Sequence, residues 1–181
     1  AGAIRNRAFN QVSSYRQDER SMAFKFKNLK PGCEISISKT ATLNLALYKR
    51  LQMFVHAENL SNVVKDSIKN GDLSIIVRLG KDIPQDNTPI SIQENNNFYE
   101  YELPLEVSVI GDPKDGNIWR PRNFINLPLD SLLALRKHRI SNNINARDQI
   151  VEMEVNDAKG DVVRMVGNPS LGAVKTIYIG V

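Results

Sequence analysis

Residues 51–58 (LQMFVHAE) and 72–80 (DLSIIVRLG) carry the clearest strand patterns in the chain. Apolar side chains recur at every second position of both segments, and two residues is the period of a β-strand. The opposite face of the first segment also holds an apolar residue, Phe54, which is typical of a central strand in a two-layer fold. We therefore predict that the two segments pair with each other and that the other strands are arranged around them.

Further segments with the same alternation extend this β-rich pattern along the chain. Strands are predicted at residues 21–27, 33–38, 98–107, 149–155, 162–166 and 174–181. The first two flank a Pro-Gly turn at residues 29–32 and are predicted to form a hairpin. Another turn is predicted at residues 159–161 (KGD). Residues 42–48 (TLNLALY) also alternate, but their Leu and Ala content favours a helix, so both alternatives stay open.

Two short helices are predicted among these strands. Residues 61–70 begin with Ser61, a favourable N-cap residue, and end just before Gly71. Asp130 is predicted to cap a second helix over residues 131–139. The apolar face of this second helix is predicted to contain Leu129, Leu132 and Leu133.

Many short strands, frequent turns and few helices are typical of an antiparallel β-sandwich. We predict a mainly β, jelly-roll-like sandwich with one or two short helices. Residues 21–181 are predicted to form a single domain, preceded by a polar, basic lead-in at residues 1–20. A chain of 181 residues is long enough for one domain with a buried core.

The positive charge is concentrated at the start of the chain. Residues 1–30 have a balance of +5, whereas the whole chain has a formal net charge of +4, so the remainder sums to −1. A nucleic-acid-binding domain is expected to carry basic side chains on its folded body, with aromatic residues placed for stacking. We therefore predict no nucleic-acid partner. No stretch of about 18 apolar residues occurs, so no transmembrane helix is predicted.

Side chains that commonly bind metals are few and scattered. The single cysteine, Cys33, excludes an internal disulfide and a cysteine-based zinc site, and its alternation with Ile35 predicts a buried thiol. His56 and His138 have no histidine, cysteine or carboxylate at ligand spacing. We predict that one packs and the other faces solvent, and that the chain holds no metal and no cofactor.

Three glutamates, Glu100, Glu102 and Glu106, lie on one side of the strand predicted at residues 98–107. Paired carboxylates can catalyse glycoside hydrolysis, but a solvated sheet surface has the same pattern, and we favour that interpretation. Residues 112–117 (DPKDGN) lack the oxygen ligands of a calcium loop and are predicted to form a β-turn. Because no G-x-S-x-G motif and no Gly-rich phosphate loop occurs, we predict that the chain is not an enzyme.

Aromatic side chains provide an alternative type of site, because their rings can stack on sugar rings. The candidates are Tyr99, Tyr101, Trp119 and Tyr178. Each tyrosine lies on the apolar side of its strand, so we favour packing in the core and at its rim. Sugar binding stays open as the alternative.

Six segments, in this order, resemble one known family. They are residues 10–32 (NQVSSYRQDERSMAFKFKNLKPG), 47–58 (LYKRLQMFVHAE), 71–82 (GDLSIIVRLGKD), 98–107 (FYEYELPLEV), 118–139 (IWRPRNFINLPLDSLLALRKHR) and 167–181 (GNPSLGAVKTIYIGV). The chain resembles a segment of the SprA/Sov family, the very large outer-membrane translocons of the type IX secretion system in gliding bacteria. The resemblance covers nearly all 181 residues.

The resemblance implies a conduit for proteins rather than an enzyme, so no catalytic, metal-binding or cofactor-binding residues are transferred. It implies a soluble domain of an outer-membrane protein, on the periplasmic or extracellular face, that caps or buttresses the pore or docks partners. The implied partners are other secretion-system proteins, exported cargo and the rest of the parent barrel chain, without direct membrane insertion of this segment. The chain begins without Met, so we expect a piece of a longer polypeptide. A carbohydrate-binding jelly-roll module is the alternative, by analogy of fold.

Overall fold

The computed structural model describes residues 21–59, 68–83, 96–108, 118–144, 150–156 and 159–181. Ten strands lie in these ranges: β1 (Ser36–Leu43), β2 (Arg50–Phe54), β3 (Ala57–Glu58), β4 (Ser74–Asp82), β5 (Asn97–Pro104), β6 (Val107–Ser108), β7 (Phe124–Pro128), β8 (Val151–Asn156), β9 (Asp161–Val166) and β10 (Val174–Gly180). One α-helix, α1 (Leu129–Ser141), accompanies them. The predicted lead-in at 1–20, the predicted turn at 112–117 and most of the predicted helix at 61–70 lie outside the described residues.

Six of the strands form one sheet in the order β1-β10-β4-β5-β9-β8. Every neighbouring pair in this sheet is antiparallel. The β8–β9 hairpin closes through a turn at Gly160, whose φ of +65° lies in the left-handed region that glycine tolerates best. This sheet confirms the predicted mainly β, antiparallel, sandwich-like fold and the predicted KGD turn.

Two small sheets and the helix cover one face of the large sheet. Strands β2 and β7 pair antiparallel, and β3 and β6 pair parallel. Helix α1 contacts β8 and β9 of the large sheet and β7 of the small one. The apolar residues of these elements form one core cluster with the inner face of the large sheet. The architecture is therefore two-layered, with a broad sheet opposite a smaller mixed layer.

The predicted pairing of residues 51–58 with residues 72–80 is wrong. Both of the hydrogen-bonded neighbours of β4 are other strands, β10 and β5. Residues 51–58 instead belong to the second layer, where the segment divides into β2 and β3 on either side of Val55 and His56. Alternation identified the strands correctly, but it carries no information on which edge each strand meets.

The core lies between the two layers. The inner face of β4 contributes Ile75, Val77 and Leu79, each 3% exposed, and β5 contributes Tyr99, Tyr101 and Leu103. From the other layer, β7 supplies Ile125 and Leu127 and α1 supplies Leu129, Leu132 and Leu135. Burying one such aliphatic side chain contributes about 1.5–3 kcal/mol to stability. The predicted inward faces of the strands at 72–80 and 98–107 are confirmed.

The first described residues differ from their prediction. Residues 21–27 form no regular strand, and therefore no hairpin with residues 33–38. The turn between them is confirmed, because the Cys33 N–H donates to the Lys30 carbonyl (3.0 Å) and Gly32 has a φ of +77°. The chain then enters β1, which pairs with β10, and Cys33 is exposed rather than buried. Residues 45–47 form a 3-10 turn after β1, so neither a strand nor an α-helix spans residues 42–48.

Helix α1 begins earlier and buries a different stripe than predicted. Its N-cap residue is Pro128, which has no side-chain cap, and Asp130 lies inside the first turn. There the Asp130 carboxylate is favourable because of the positive end of the helix dipole. The buried residues are Leu129, Leu132, Leu135 and Arg139. Leu133, predicted to be buried, is 41% exposed because it lies about 100° around the helix from Leu132.

Candidate functional site

The glutamates of β5 do not form the solvated stripe that the sequence predicts. Glu100 is 1% exposed on the outer face of the large sheet. One of its carboxylate oxygens accepts a hydrogen bond from Arg78 Nε (2.7 Å), and the other accepts one from Arg164 Nη1 (2.7 Å). The prediction of a solvent-facing Glu100 is wrong because two long cationic side chains from the neighbouring strands cover it.

Glu100 is the centre of a row of side chains that crosses the whole sheet. Strand register places each residue directly opposite the next, one from every strand, in the sequence Ser38, Tyr178, Arg78, Glu100, Arg164 and Glu152. Directly opposite residues on one face of a sheet are close enough for their side chains to interact. We call these six residues the cross-sheet row. Glu34 and Glu102 flank it and bind Arg78 and Arg164 respectively.

The two arginines of the cross-sheet row stay charged despite their burial. Burial alone would lower the pKa of Arg78, but the carboxylates of Glu100 and Glu34 raise it above its ordinary value. Its guanidinium also lies 4.6 Å from the ring centroid of Tyr178, within cation–π range. Hydrogen bonds to Glu102, Glu100 and Glu152 likewise outweigh burial and raise the pKa of Arg164. Each carboxylate is thus held by a permanent cation.

The cross-sheet row has the character of a structural network rather than of a catalytic pair. A glycosidase needs one carboxyl group that can give up a proton and a second that meets the sugar. Here every carboxylate binds an arginine, and the central one is closed to solvent. Within the described part of the chain, no three histidine, cysteine or acidic side chains form a group that could hold a metal.

Both histidines are exposed, so the prediction that one of them packs is wrong. His138 lies exposed near the end of α1, as predicted. His56 Nε2 lies 2.6 Å from the hydroxyl of Ser108, which itself donates to the Ala57 carbonyl (3.0 Å). The serine hydroxyl has one proton for these two neighbours, so the tautomer of His56 decides whether the imidazole donates to Ser108 or accepts from it. The contact joins residues 52 positions apart and ties β6 to the connection between β2 and β3.

Three of the four predicted aromatic candidates lie inside the protein. Tyr99, Tyr101 and Tyr178 are at most 2% exposed, which confirms the packing interpretation. The Tyr101 hydroxyl donates to Asp161 Oδ2 (2.8 Å) and the Tyr99 hydroxyl donates to the Pro169 carbonyl (3.2 Å). Burial, together with the hydrogen bond to Asp161, strongly raises the pKa of Tyr101. None of these three rings can meet a sugar.

The fourth candidate, Trp119, belongs to a group of aromatic rings at the surface. Phe54 is 65% exposed and Trp119 is 44% exposed, and their ring centroids lie 5.9 Å apart with the edge-to-face geometry that aromatic pairs favour. Phe54 also lies 4.6 Å from the ring of Phe124, and His56 lies 6.1 Å from Trp119. We call Phe54, His56, Trp119 and Phe124 the aromatic patch.

Local structure explains why the aromatic patch faces outward. In the β2–β7 pair, Phe54 lies directly opposite Phe124, and the residues next to them in each strand, Met53 and Ile125, face the core. Side chains of a strand alternate between its two faces, so burying one set exposes the other. Sequence reasoning selected Trp119 but missed Phe54 and Phe124 as surface residues, because their face depends on the pairing of β2 with β7.

Hydrogen bonds of Asn123 hold the chain just after Trp119. Asn123 is fully buried, and its side chain accepts a hydrogen bond from the Glu106 N–H (2.7 Å) and donates to the Glu106 carbonyl (2.8 Å). These two bonds tie the 3-10 turn Pro121–Asn123 to the connection between β5 and β6. Trp119 therefore lies two residues before an anchored turn.

A polar strip continues the aromatic patch along the same outer face. Asn126 Oδ1 accepts hydrogen bonds from Arg50 Nη1 (2.9 Å) and Gln52 Nε2 (3.1 Å). Exposed aromatic rings beside an arginine are the side chains enriched at protein–protein interfaces. In chemical terms the surface can bury apolar groups and pair with a carboxylate.

Comparison with known proteins identifies the family of the chain. No curated protein matches the chain in sequence. In the ranges that the structure describes, no helix is both long enough and apolar enough to span a membrane. The model of the SprA_N family, described as motility related/secretion protein, matches residues 1–181. Because this match covers the whole chain, the protein belongs to the SprA_N family of motility-related and secretion proteins.

Proposed function

We propose that the chain is a non-catalytic docking domain of an outer-membrane protein-export channel that serves type IX secretion and gliding motility. Family membership supports a role in secretion or motility. The observation that carries the docking role is the aromatic patch. It exposes the ring of Phe54 on a paired strand and the ring of Trp119 just before a hydrogen-bonded 3-10 turn. Residues 21–181 act as one unit in this proposal, with residues 1–20 as its lead-in.

The occupant that we propose for the aromatic patch is a segment of another secretion-system protein with apolar side chains and a nearby carboxylate. The apolar part would cover Phe54 and Trp119, and the carboxylate would meet Arg50 at the end of the polar strip. Aromatic and arginine side chains of this kind dominate the binding energy of interfaces when they become desolvated. Capping or buttressing the pore would follow from the same contact.

The test replaces the exposed rings inside the full-length parent protein. We expect Phe54→Ser combined with Trp119→Ser to weaken in-cell crosslinking to partner proteins by at least about tenfold and to lower cargo secretion. Leu47→Ser is the matched control, because Leu47 is 79% exposed but lies outside the aromatic patch. Unchanged crosslinking and secretion in the double variant, at normal outer-membrane levels, would contradict the proposal.

A glycan array, read with the unaltered protein and with the single Trp119→Ser variant, separates docking from carbohydrate binding. The aromatic patch, with the amides of Gln52 and Asn126 beside it, also has the ring-plus-amide chemistry of a carbohydrate-binding module. A glycan array that gives a hit abolished by Trp119→Ser, together with unchanged crosslinking, would favour sugar binding. A blank array would remove that alternative.

A further inference from the structure

An open groove lies at the C-terminal end of α1, on a part of the molecule that shares no residue with the aromatic patch. Its volume is about 520 Å³. It is lined by Arg136, Arg139, Ile140, Asn143, Ile144 and Asn168. Arg136 and Arg139 bring two permanent positive charges to one wall of the groove.

Both arginines are held by neutral acceptors. Arg136 Nη2 donates to Asn168 Oδ1 (2.9 Å) and to the Pro169 carbonyl (2.6 Å). Arg139, only 6% exposed, donates to the Gly167 carbonyl and to Asn168 Oδ1. In the described residues, neither arginine has a carboxylate within salt-bridge distance, whereas Arg78 has two and Arg164 has three.

This charge is incompletely compensated. Among the described residues, Nε of Arg136 is buried and has no hydrogen-bond partner. Burial, and then the neighbouring charge of Arg136, lower the pKa of Arg139. The C-terminal end of α1 offsets part of the charge, because the helix dipole places about half a negative charge there. Two guanidinium groups exceed that half charge, so the described residues make the groove electropositive.

We propose that this groove binds a carboxylate of an acidic peptide segment from a partner protein. Both hydrogens of Arg136 Nη2 are already donated to Asn168 and Pro169, so Arg136 Nη1 is the group that can donate to a carboxylate oxygen, with the remaining N–H groups of Arg139 beside it. The amides of Asn143 and Asn168 line the groove beside the two arginines and can orient the peptide backbone. The inference does not depend on the docking role of the aromatic patch.

A carboxylate suits the groove better than a phosphate does. The backbone groups that point toward the two arginines are carbonyl oxygens, those of Gly167 and Pro169, and the helix end adds further negative potential. Charge alone does not favour a carboxylate, because the attraction of the two arginines and the repulsion of these dipoles both double for a phosphate dianion. The backbone favours a carboxylate, because phosphate sites usually offer backbone N–H groups, whereas carbonyl oxygens contact these arginines.

The experiment measures binding of a blocked tetraglutamate peptide, and separately of inorganic phosphate, to the 181-residue chain at constant ionic strength by isothermal titration calorimetry. We expect the peptide to bind more tightly than phosphate. Arg136→Gln is expected to weaken peptide binding at least about tenfold. Lys137→Gln is the matched control, because it removes the same charge from the same turn at an exposed position, and it is expected to change binding less than about twofold.

A second variant separates site geometry from folding and charge. Arg136→Lys keeps the charge but replaces the planar guanidinium, which binds Asn168 and Pro169 through Nη2 while Nη1 stays free, so it should lose most of the affinity while thermal unfolding shows an intact fold. Equal losses in the Arg136→Gln and Lys137→Gln proteins would overturn the proposal, because they would indicate a diffuse basic surface. Absence of peptide binding to the unaltered chain, or tighter binding of phosphate than of peptide, would overturn it as well.

Discussion

Strand β5 carries Tyr99, Tyr101 and Leu103 on its inner face and Phe98, Glu100 and Glu102 on its outer face. At the centre of the strand both faces are closed to solvent, since Tyr101 is 2% exposed and Glu100 is 1% exposed. The inner face is buried by the apolar second layer. On the outer face, Glu100 is buried by charged partners from the strands on either side, whereas Phe98 belongs to a small apolar cluster with Val166 and Tyr178.

The two faces of β5 therefore differ in the substitutions and strand shifts that they tolerate. An apolar core is stabilised by the area removed from water and tolerates exchange between apolar residues of similar volume. The cross-sheet row requires each charge to lie opposite its partner, and a shift of two residues in any strand would separate the charges although it keeps the apolar side chains on the core face. We infer that the cross-sheet row specifies strand register more strictly than the core does.

The largest effect that would test this comparison is expected from Glu100→Gln. The change leaves Arg78 in a buried position with only Glu34 as its anionic partner, and losing one partner of a buried ion pair costs about 3–5 kcal/mol. Urea denaturation measures the free energy of unfolding. A cost below about 1 kcal/mol would show that the outer face behaves as an ordinary solvated surface.

Tyr101→Phe tests the inner face, with an intermediate effect. The change leaves Asp161, which is 4% exposed, without the Tyr101 hydrogen bond, and is expected to cost about 1–3 kcal/mol at neutral pH. The pKa of Tyr101 is raised in the folded protein, so above about pH 10 the unfolded chain loses a proton that the folded chain retains. Stability therefore falls as pH rises beyond that point.

The phenylalanine variant should lose part of this alkaline dependence. We expect its decline in unfolding free energy above pH 10 to be shallower by up to about 1.4 kcal/mol per pH unit. Parallel urea titrations at several alkaline pH values measure the slope. Identical slopes in the two proteins would mean that Tyr101 titrates normally and that its burial is not maintained.

The smallest effect is expected at the rim of the cross-sheet row. The Glu152 side chain is 52% exposed and binds the same Arg164 as Glu100 does. Glu152→Gln is expected to cost about 0.2–1 kcal/mol, and less still in 1 M salt, because exposed ion pairs are screened. An equal loss of unfolding free energy in Glu152→Gln and Glu100→Gln would contradict the proposal that buried ion pairs stabilise the protein more than exposed ones.

Local patterns in the sequence predicted the strands of the large sheet well. The alternating side chains of β4 and β5, the Pro31-Gly32 turn and the closing strand β10 all occur where expected. The predictions were wrong where an alternating segment does not pair with a described strand, or where it pairs with a strand that the sequence did not indicate. Residues 21–27 alternate but pair with none of the described strands, and Cys33 precedes the point where β1 meets β10.

The candidate surfaces were less predictable than the fold. Trp119 was a candidate from its chemistry alone, but the exposure of Phe54 depends on the pairing of β2 with β7. Arg136 and Arg139 lie three residues apart in the sequence, but only the fold shows that Arg139 is buried against the Gly167 carbonyl and the Asn168 amide. Burial and missing counter-charges are properties of neighbours that are distant in sequence.

By itself the sequence determined the strand-forming segments, the tight turns and the family, because alternation and turn chemistry are properties of adjacent residues. Only the tertiary structure decided which strands pair, which glutamate is buried and which rings reach the surface. The physical reason is the range of the interactions. Glu100 meets one arginine 22 residues away and another 64 residues away, and no local pattern encodes those two distances.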